Sequence, residues 1–305
     1  MTKSIIRFHT FLRGIILAGY TLFFFKLLVT NQIIYFISPK MKPFLDFTAI
    51  VLLILGIFQI IKGTSANQKD VGCSCCEGHH PPGNTLRSFL YYSLFIIPII
   101  TGFLFADHTL NSAVAEKRQI QFGTLHAQKI NQVKKEDNTA SKGDTKEKEN
   151  SASRSRSIND KSQQQSMTEQ EYESLKKTLL SQRKIMMNDD KYIPILDIIE
   201  ENLPEFAGKE IETAGFVFRE NGFSNDQVVI ARFGVVCCVA DASVYGIMAK
   251  GNVAELKNDT WVKIRGTIDS ETYNSTTVPS INIKSIEKIA EPAQPYVYDI
   301  PIKIE

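Results

Sequence analysis

The 305-residue chain lacks the motifs that identify the common enzyme classes. It has no glycine-rich phosphate-binding loop, no nucleophile elbow around a serine and no H-E-x-x-H metalloprotease helix. We therefore predict that the protein is not an enzyme. Its five cysteines are too few for a disulfide framework in a chain of this length. A net charge of +2 gives no support for a nucleic-acid binder held by bulk positive charge.

Acidic residues are scarce in the first third of the chain, and this scarcity divides the sequence into three parts. The mean hydropathy of −0.10 and the 22% of charged residues describe an average soluble protein, but the average combines opposites. Residues 1–116 are apolar, residues 117–190 are polar and charged, and residues 191–305 have a globular composition. We predict a membrane domain, a linker and a folded domain, in that order.

Three apolar runs in the first part are long enough to cross a bilayer: residues 14–37, 44–61 and 89–106. The two shorter runs cover about 27 Å each as helices, which is close to the thickness of a hydrocarbon core. We therefore predict three transmembrane helices. The first is not expected to be a cleaved signal peptide, because its apolar run exceeds the usual length of about 7–15 residues and no A-x-A-like site follows.

The lysines and arginines of the short loops set the predicted orientation. The N-terminal flank and the loop after the second helix carry three such residues each, against two each on the opposite side. The positive-inside rule then predicts an inside N-terminus and an outside C-terminal domain.

Two ionisable residues lie at or near the predicted membrane depth, Lys26 in the first helix and Asp46 in the second. Ionisable groups within a bilayer are costly and commonly mark functional sites, so both are candidate site residues. In the alternative interpretation, Lys26 extends its amine to the interface and Asp46, which follows Pro43, lies at the membrane surface.

The linker, residues 117–190, is rich in Lys, Glu, Ser, Gln and Asn and has no aromatic residue between Phe122 and Tyr172. Such a composition cannot bury enough apolar surface to offset the entropy of ordering, so we predict a disordered tether. Its end differs, because Thr168 and Glu171 have the spacing of a capping box. A helix of about 15 residues is expected to lead from there into the folded domain.

The last part of the chain has the pattern of a small β-barrel. The predicted strands are Glu210–Phe218, Gln227–Phe233, Val235–Ala240, Thr260–Ile268 and Val278–Ile289. A strand-like run at 193–199 precedes them, with a short helix at 198–203 as a further possibility, and a helical insertion near 245–256 interrupts them. Five short strands with turn signals between them favour an OB-fold-like barrel. The strands lack the alternating basic and aromatic residues of a single-strand binder, so no nucleic-acid partner is predicted.

The loop at residues 70–82 is the densest group of potential metal ligands in the sequence. It holds three thiols and two imidazoles, from Cys73, Cys75, Cys76, His79 and His80. Cys73 and Cys76 have the C-x-x-C spacing of two ligands on one tetrahedral ion, and the mixture of thiolate and imidazole suits zinc, with Cu(I) as the second choice. The alternative is an exposed loop whose thiols bind nothing.

A second group of candidate site residues surrounds Cys237 and Cys238, with Arg232 before them and Asp241 after them. In a regular strand adjacent side chains face opposite sides, so the two thiols could reach one metal only through a bulge. We expect one cysteine to face the core and the other to join Asp241 at the strand end. In the alternative, both are small buried hydrophobic residues.

Several segments resemble the YcgQ-like family of bacterial membrane proteins, some of which are described as permease subunits. The similar segments are 13–20, 35–41, 110–113, Arg232–Phe233, 237–242 (C-C-V-A-D-A), 259–262 and 295–298. The resemblance implies an N-terminal membrane domain, an OB-like C-terminal domain and a role beside a separate multi-helix permease.

These observations predict an accessory subunit of a bacterial membrane permease that handles metal ions, with the bilayer and a multi-helix permease subunit as its partners. The Cys/His loop is the expected metal site, and the tethered β domain is expected to capture or gate the substrate. Two other functions stay open: a membrane-anchored sensor of metal or thiol redox state, and an envelope scaffold without a transport role.

Overall fold

The computed structural model describes residues 3–65, 85–104, 109–118, 120–122 and 166–303. They belong to two compact units, Met1–His108 and Thr109–Glu305. The division falls at residue 108 rather than at the predicted 116, because the residues that follow pack on the second unit. The Cys/His loop at 70–82 and most of the predicted linker, residues 123–165, lie outside the described residues.

The described part of the first unit contains three apolar α-helices, α1 (Lys3–Val29), α2 (Lys42–Thr64) and α3 (Thr85–Leu104). Two of them are long and apolar enough to cross a membrane, with candidate spans at Arg7–Val29 and Pro39–Thr64. Only 17% and 6% of these spans' apolar windows are buried inside the protein, unlike the core helix of a soluble protein. The apolar part of α3, Ser88–Leu104, is shorter, so a third transmembrane helix stays a prediction.

A small residue and a buried polar pair hold the three helices together. A Cβ added at Gly14 of α1 would lie 2.7 Å from the Ile60 side chain of α2, so the glycine permits the close approach of these helices. The Nδ1 atom of His9 and the hydroxyl of Tyr92 share a buried hydrogen bond of 2.8 Å between α1 and α3. Each polar group thereby satisfies the other away from water.

The second unit is built from short helices and a larger number of strands. The helices are α4 (Ser112–Ala115), α5 (Glu169–Ser181), α6 (Tyr192–Glu201) and α7 (Leu203–Phe206). The strands are β1 (Ile120–Gln121), β2 (Met167–Thr168), β3 (Lys184–Met186), β4 (Glu210–Phe218), β5 (Gln227–Val235), β6 (Ser243–Lys250), β7 (Trp261–Tyr273), β8 (Thr276–Lys288), β9 (Tyr296–Tyr298) and β10 (Ile302–Lys303).

Five of these strands, β4 to β8, close into a barrel. The strand β4 pairs antiparallel with β5 and β7, β5 pairs antiparallel with β6, and β7 pairs antiparallel with β8. The circle is completed by β6 and β8, which run parallel. Each barrel strand therefore has a neighbour on both sides, in the order β4-β5-β6-β8-β7. The expected C-terminal β-barrel-like domain is confirmed.

Three local predictions are wrong. The run at 193–199 belongs to the helix α6, in which residues 192–199 are all buried. The chain leaves the barrel at Val235, so Val235–Ala240 is not a strand. The third barrel strand is instead Ser243–Lys250, where a helical insertion was expected. Both faces of this strand are buried, with Tyr245 and Val244 in different core clusters, so its sequence does not alternate between apolar and polar residues.

Residues 109–118 and 120–122 pack against the outside of the barrel instead of continuing the membrane domain. Ala115 and Phe122 are buried in the same core cluster as the barrel strand β5. The N–H and the hydroxyl of Ser112 both donate to the carboxylate of Asp259, at 2.6 and 2.7 Å. The strand β1 adds to the sheet beside β6. We call residues 109–118 and 120–122 the stem.

The helix α5 begins at the predicted capping box. The Thr168 hydroxyl accepts a hydrogen bond from the Glu171 N–H at 3.2 Å, and the Glu171 carboxylate accepts one from the Thr168 N–H at 2.8 Å. Its buried side chains, Tyr172 and Leu179, join the core cluster that contains α6. The helix therefore belongs to the folded domain.

Candidate metal site

The chain turns sharply where β5 ends, because one carboxylate collects its backbone hydrogen bonds. Asp241 accepts from the N–H of Val236 at 2.9 Å, of Cys237 at 2.8 Å and of Cys238 at 3.0 Å. Three consecutive donors that a continued strand would offer alternately to the strands on its two sides are thereby occupied. The segment then closes in a single 3-10 turn, Val239–Asp241. We call residues 236–241 the cysteine turn.

The cysteine turn brings three potential ligand atoms together. The sulfur atoms of Cys237 and Cys238 and a carboxylate oxygen of Asp241 all lie within 4.8 Å of one another. Cys237 is exposed and Cys238 is half-buried. The prediction that strand geometry separates the two thiols is therefore wrong. The alternative, in which both cysteines are buried hydrophobic residues, is wrong as well.

Hydrogen bonding fixes the charge distribution of the cysteine turn. The Cys237 thiol donates to Oδ2 of Asp241 at 2.7 Å, and this bond, followed by the contact with Cys238, raises the pKa of Cys237 to about 11. Burial raises the pKa of Asp241, but the bonds from the thiol and the three backbone N–H groups outweigh it and lower that pKa. The proton therefore stays on sulfur and the negative charge on the carboxylate.

The donor set fits a thiophilic metal ion. Two thiolates and one carboxylate are ligands that Zn²⁺ accepts, and a thiolate pair also suits Cu(I). Within the described ranges of the chain, no second group of three Cys, His, Asp or Glu residues gathers its ligand atoms this closely. The predicted ligands Cys73, Cys75, Cys76, His79 and His80 fall outside those ranges.

Arg232, a sequence candidate, uses its guanidinium to hold the fold. The side chain is 1% exposed and its Nη1 atom lies 2.8 Å from the Asp189 carboxylate. Its Nε donates to the Pro295 carbonyl oxygen at 3.2 Å, and the group lies 5.2 Å from the centre of the Trp261 ring. Arg232 therefore ties the segment before β9 and the turn before α6 to the barrel.

Lys26 and Asp46 belong to the first unit, and each lies near a helix end. The Lys26 amine donates to the Phe103 carbonyl oxygen at 3.1 Å and lies 5.3 Å from the centre of that ring. Phe103 is in the last turn of α3, where carbonyl groups lack partners within the helix. Lys26 therefore satisfies a helix end. Asp46 is half-buried in the second turn of α2.

Sequence analysis missed a buried carboxylate in the barrel wall. The Glu212 side chain is 7% exposed and accepts hydrogen bonds from Lys184 and Arg265, both at 2.9 Å. The bond from Lys184 and the charge of Arg265 lower the pKa of Glu212 despite its burial. The three residues lie on the neighbouring strands β3, β4 and β7, so the pairing depends on a register that sequence does not give.

A pocket of about 420 Å³ between the stem and the tip of the β7–β8 hairpin was also missed. Its lining carries both charges, from Glu116, Lys117, Arg118, Glu200 and Glu220, with Ile120, Phe122, Tyr273, Asn274, Thr276 and Val278. Burial, and then the neighbouring charge of Glu201, raises the pKa of Glu200 to about 7. Nothing in the sequence around Glu200 indicates this environment.

Comparisons with known proteins cover both units. Residues 12–121 match the family model described as the DUF1980 N-terminal domain, and residues 162–299 match the DUF1980 C-terminal domain. The chain is 26% identical over 310 residues to the "UPF0703 protein YcgQ" of Bacillus subtilis (strain 168), an alignment that covers 94% of this chain and 98% of the relative.

A second relative matches over a shorter region. This protein of Streptococcus mutans serotype c carries the name "Putative two-component membrane permease complex subunit" and is 32% identical over 120 residues, which are 38% of this chain and 44% of the relative. No solved structure matches the chain. The two family models together span most of the chain, so the chain belongs to the DUF1980 family, and its resemblance to YcgQ is confirmed.

Proposed function

We propose that the protein is an accessory subunit of a membrane permease complex. The observation that carries this proposal is the exposure of its two candidate membrane spans. Only 17% and 6% of their apolar windows are buried inside the protein. Helices that bury so little against one another do not enclose a path for a solute, and their side chains are free to pack on another membrane protein. The name of the Streptococcus mutans relative, a subunit of a two-component complex, agrees with this role.

The proposal includes α3 as a third span, with the N-terminus inside the cell and the barrel outside. The apolar run of α3 and the distribution of lysine and arginine in the short loops support this arrangement. We also propose that the barrel is an OB fold. Its support is the strand order, in which the first strand pairs with the second and fourth and the third runs parallel to the fifth.

The cargo in this proposal is a metal ion. The Cys/His loop, with its three thiols and two imidazoles within eight residues, supports zinc as the ion and Cu(I) as the second choice. Replacing Cys73, Cys75 and Cys76 with serine is expected to lower the metal content of the purified full-length protein. Unchanged metal content would contradict a metal role for this loop.

Site-specific photocrosslinking in cells tests the partner. Phe47 and Ile54 of α2 are 68% and 60% exposed, so a photoreactive residue at either position is expected to capture a multi-helix membrane protein. Lys257, which is exposed on the second unit, is the control position. A photoreactive residue there is not expected to crosslink to the membrane-spanning part of that protein. Recovery of envelope assembly proteins alone would favour a scaffold role and contradict the permease proposal.

A membrane-anchored sensor of metal or thiol redox state is the second candidate, and the exposure of Cys237 favours it. A sensor needs no permease partner, so crosslinking separates the two candidates.

A membrane-impermeant maleimide applied to intact cells tests on which side of the membrane the barrel lies. It is expected to label Cys237 if the barrel lies outside, and protection of this thiol in intact but not in lysed cells would contradict that orientation.

A further inference from the structure

We infer that the cysteine turn is a metal-binding site of its own, with Cys237, Cys238 and Asp241 as three ligands of Zn²⁺ and with one coordination position left open. The binding follows from the geometry of the turn. Its role as a site that passes the ion on rests on the proposed function.

The spacing of the ligand atoms is close to what the ion needs. In a tetrahedral zinc site with two thiolates and one carboxylate, neighbouring ligand atoms lie about 3.6–3.8 Å apart. The three atoms of the turn lie within 4.8 Å of one another, and the sulfur of Cys237 is 2.7 Å from Oδ2 of Asp241. Adjustments of about 1 Å by side chains at the surface would place all three around one ion.

The carboxylate is already oriented for this purpose. The N–H groups of Val236, Cys237 and Cys238 hold both oxygen atoms of Asp241. Groups that bind a metal ligand from behind fix its direction and contribute to affinity. The turn itself is tied to the stem, because the Arg118 guanidinium donates to the Ala240 carbonyl oxygen at 3.4 Å. The ion would therefore meet a prepared site.

Binding exchanges protons for the ion. Without the ion, the Cys237 thiol donates a hydrogen bond to Asp241, and the ion takes the place of the shared proton. One divalent ion that binds two thiols releases two protons to solvent, forms two metal–sulfur bonds and leaves every oxidation state unchanged.

The open coordination position indicates exchange. Structural zinc sites are closed by four protein ligands, whereas three protein ligands leave a position for water or for an incoming group. Because Cys237 is exposed and Cys238 is half-buried, a ligand from another protein can approach the ion directly. A site of this kind can hand its ion over without first releasing it into water.

Cobalt binding to the full-length protein in detergent tests the inference. Serine at positions 73, 75 and 76 leaves Cys237 and Cys238 as the only cysteines. Reduced protein of this background is expected to bind one Co²⁺ with a thiolate-to-cobalt charge-transfer band, and Zn²⁺ should displace it. Cys237→Ser or Cys238→Ser should weaken Zn²⁺ binding by more than about 100-fold, since losing an outer-shell group already costs about 10–100-fold.

Two further variants separate ligation from folding. Asp241→Asn keeps an oxygen acceptor for the backbone but loses the charge, and it should weaken Zn²⁺ binding at least tenfold. Glu205→Gln removes the same charge from an exposed residue outside the cysteine turn, and it should bind as the parent does. If Cys238→Ser fails to fold, Cys237→Ser still decides the matter, because that side chain is exposed.

Absence of the charge-transfer band in the background protein, or Asp241→Asn binding equal to that of Glu205→Gln, would overturn the inference. Neither result touches the proposed function, which photocrosslinking at Phe47 and Ile54 tests separately. Metal binding without a captured permease would instead leave the site standing and refute the accessory-subunit role.

Discussion

Glu200 gives a stability prediction with an unusual pH dependence. Burial, with the neighbouring charge of Glu201, raises the pKa of this carboxyl from 4.5 to about 7. Below about pH 4.5 this carboxyl is protonated in both the folded and the unfolded protein, so it does not lower the free energy of unfolding. Between pH 4.5 and 7 the unfolded chain loses its proton and the folded protein keeps it, so stability falls as pH rises.

The magnitude follows from the same shift. A tenfold change in proton affinity is worth about 1.36 kcal/mol, so the rise to about 7 corresponds to at most about 3 kcal/mol. Glu200 is half-buried on a pocket that also carries Lys117 and Arg118, and water and these cations screen its charge. We therefore expect Glu200→Gln to stabilise the second unit by about 1–2 kcal/mol at pH 8. At pH 4.5 the gain should shrink to a few tenths.

Urea unfolding of the full-length protein in detergent measures this difference. Trp261, the one tryptophan of the sequence, is in the barrel strand β7, so its fluorescence reports the second unit and not the membrane helices. A gain of 1–2 kcal/mol should raise the urea midpoint by about 1 M. Glu205→Gln, an exposed change on α7, removes the same charge and is the control. A Glu200→Gln protein no more stable than wild type at pH 8, or stabilised equally at both pH values, would refute the reasoning.

Three further substitutions test the barrel. Glu212→Gln should cost about 1–3 kcal/mol at pH 7 because the Arg265 bond loses its charge. Since the pKa of Glu212 is lowered, its contribution exists above about pH 4.3 and is lost in more acidic solution, so urea midpoints of variant and wild type should converge there. Arg232→Met should cost about 3–5 kcal/mol in the same assay and leave cobalt affinity unchanged if the guanidinium is structural. Gly266→Ala should cost about 1–3 kcal/mol or more, because a Cβ there would overlap the backbone oxygen of Asn282.

The sequence predicted the barrel where local signals and tertiary packing agree. The strand β4 has the predicted bounds, Glu210–Phe218, and Gly222 supplies the left-handed turn, with φ +100°, that the Asn-Gly pair indicates. The strand β6 was missed because both of its faces are buried, one in the barrel interior and the other under the segments that pack on the outside of the barrel. A strand covered on both sides shows no period-two pattern and cannot be distinguished from a helix by periodicity.

The short elements that pack around the barrel could not be predicted from the sequence either, because each forms only by pairing with a distant segment. The strands β1, β2 and β10 have two residues each and exist only through pairing with a distant segment. The stem reads as the end of a membrane helix and the start of a polar linker. Its attachment depends on Asp259, which Ser112 binds from 147 positions away. No periodicity within a segment can predict such a contact.

The cysteine turn shows how a candidate site can be named correctly for an incorrect reason. Alternation in a strand separates Cys237 from Cys238, and on that basis the pair could share a metal only through a bulge. The decisive residue is Asp241, because a short carboxylate can take backbone N–H groups that a strand would otherwise use. In the string C-C-V-A-D the carboxylate follows the first cysteine by four positions, which is the separation across which it accepts the N–H and the thiol of Cys237. The interaction that ends the strand is thus the one that assembles the three ligands, and an apolar strand pattern running into such a string should be interpreted as a turn.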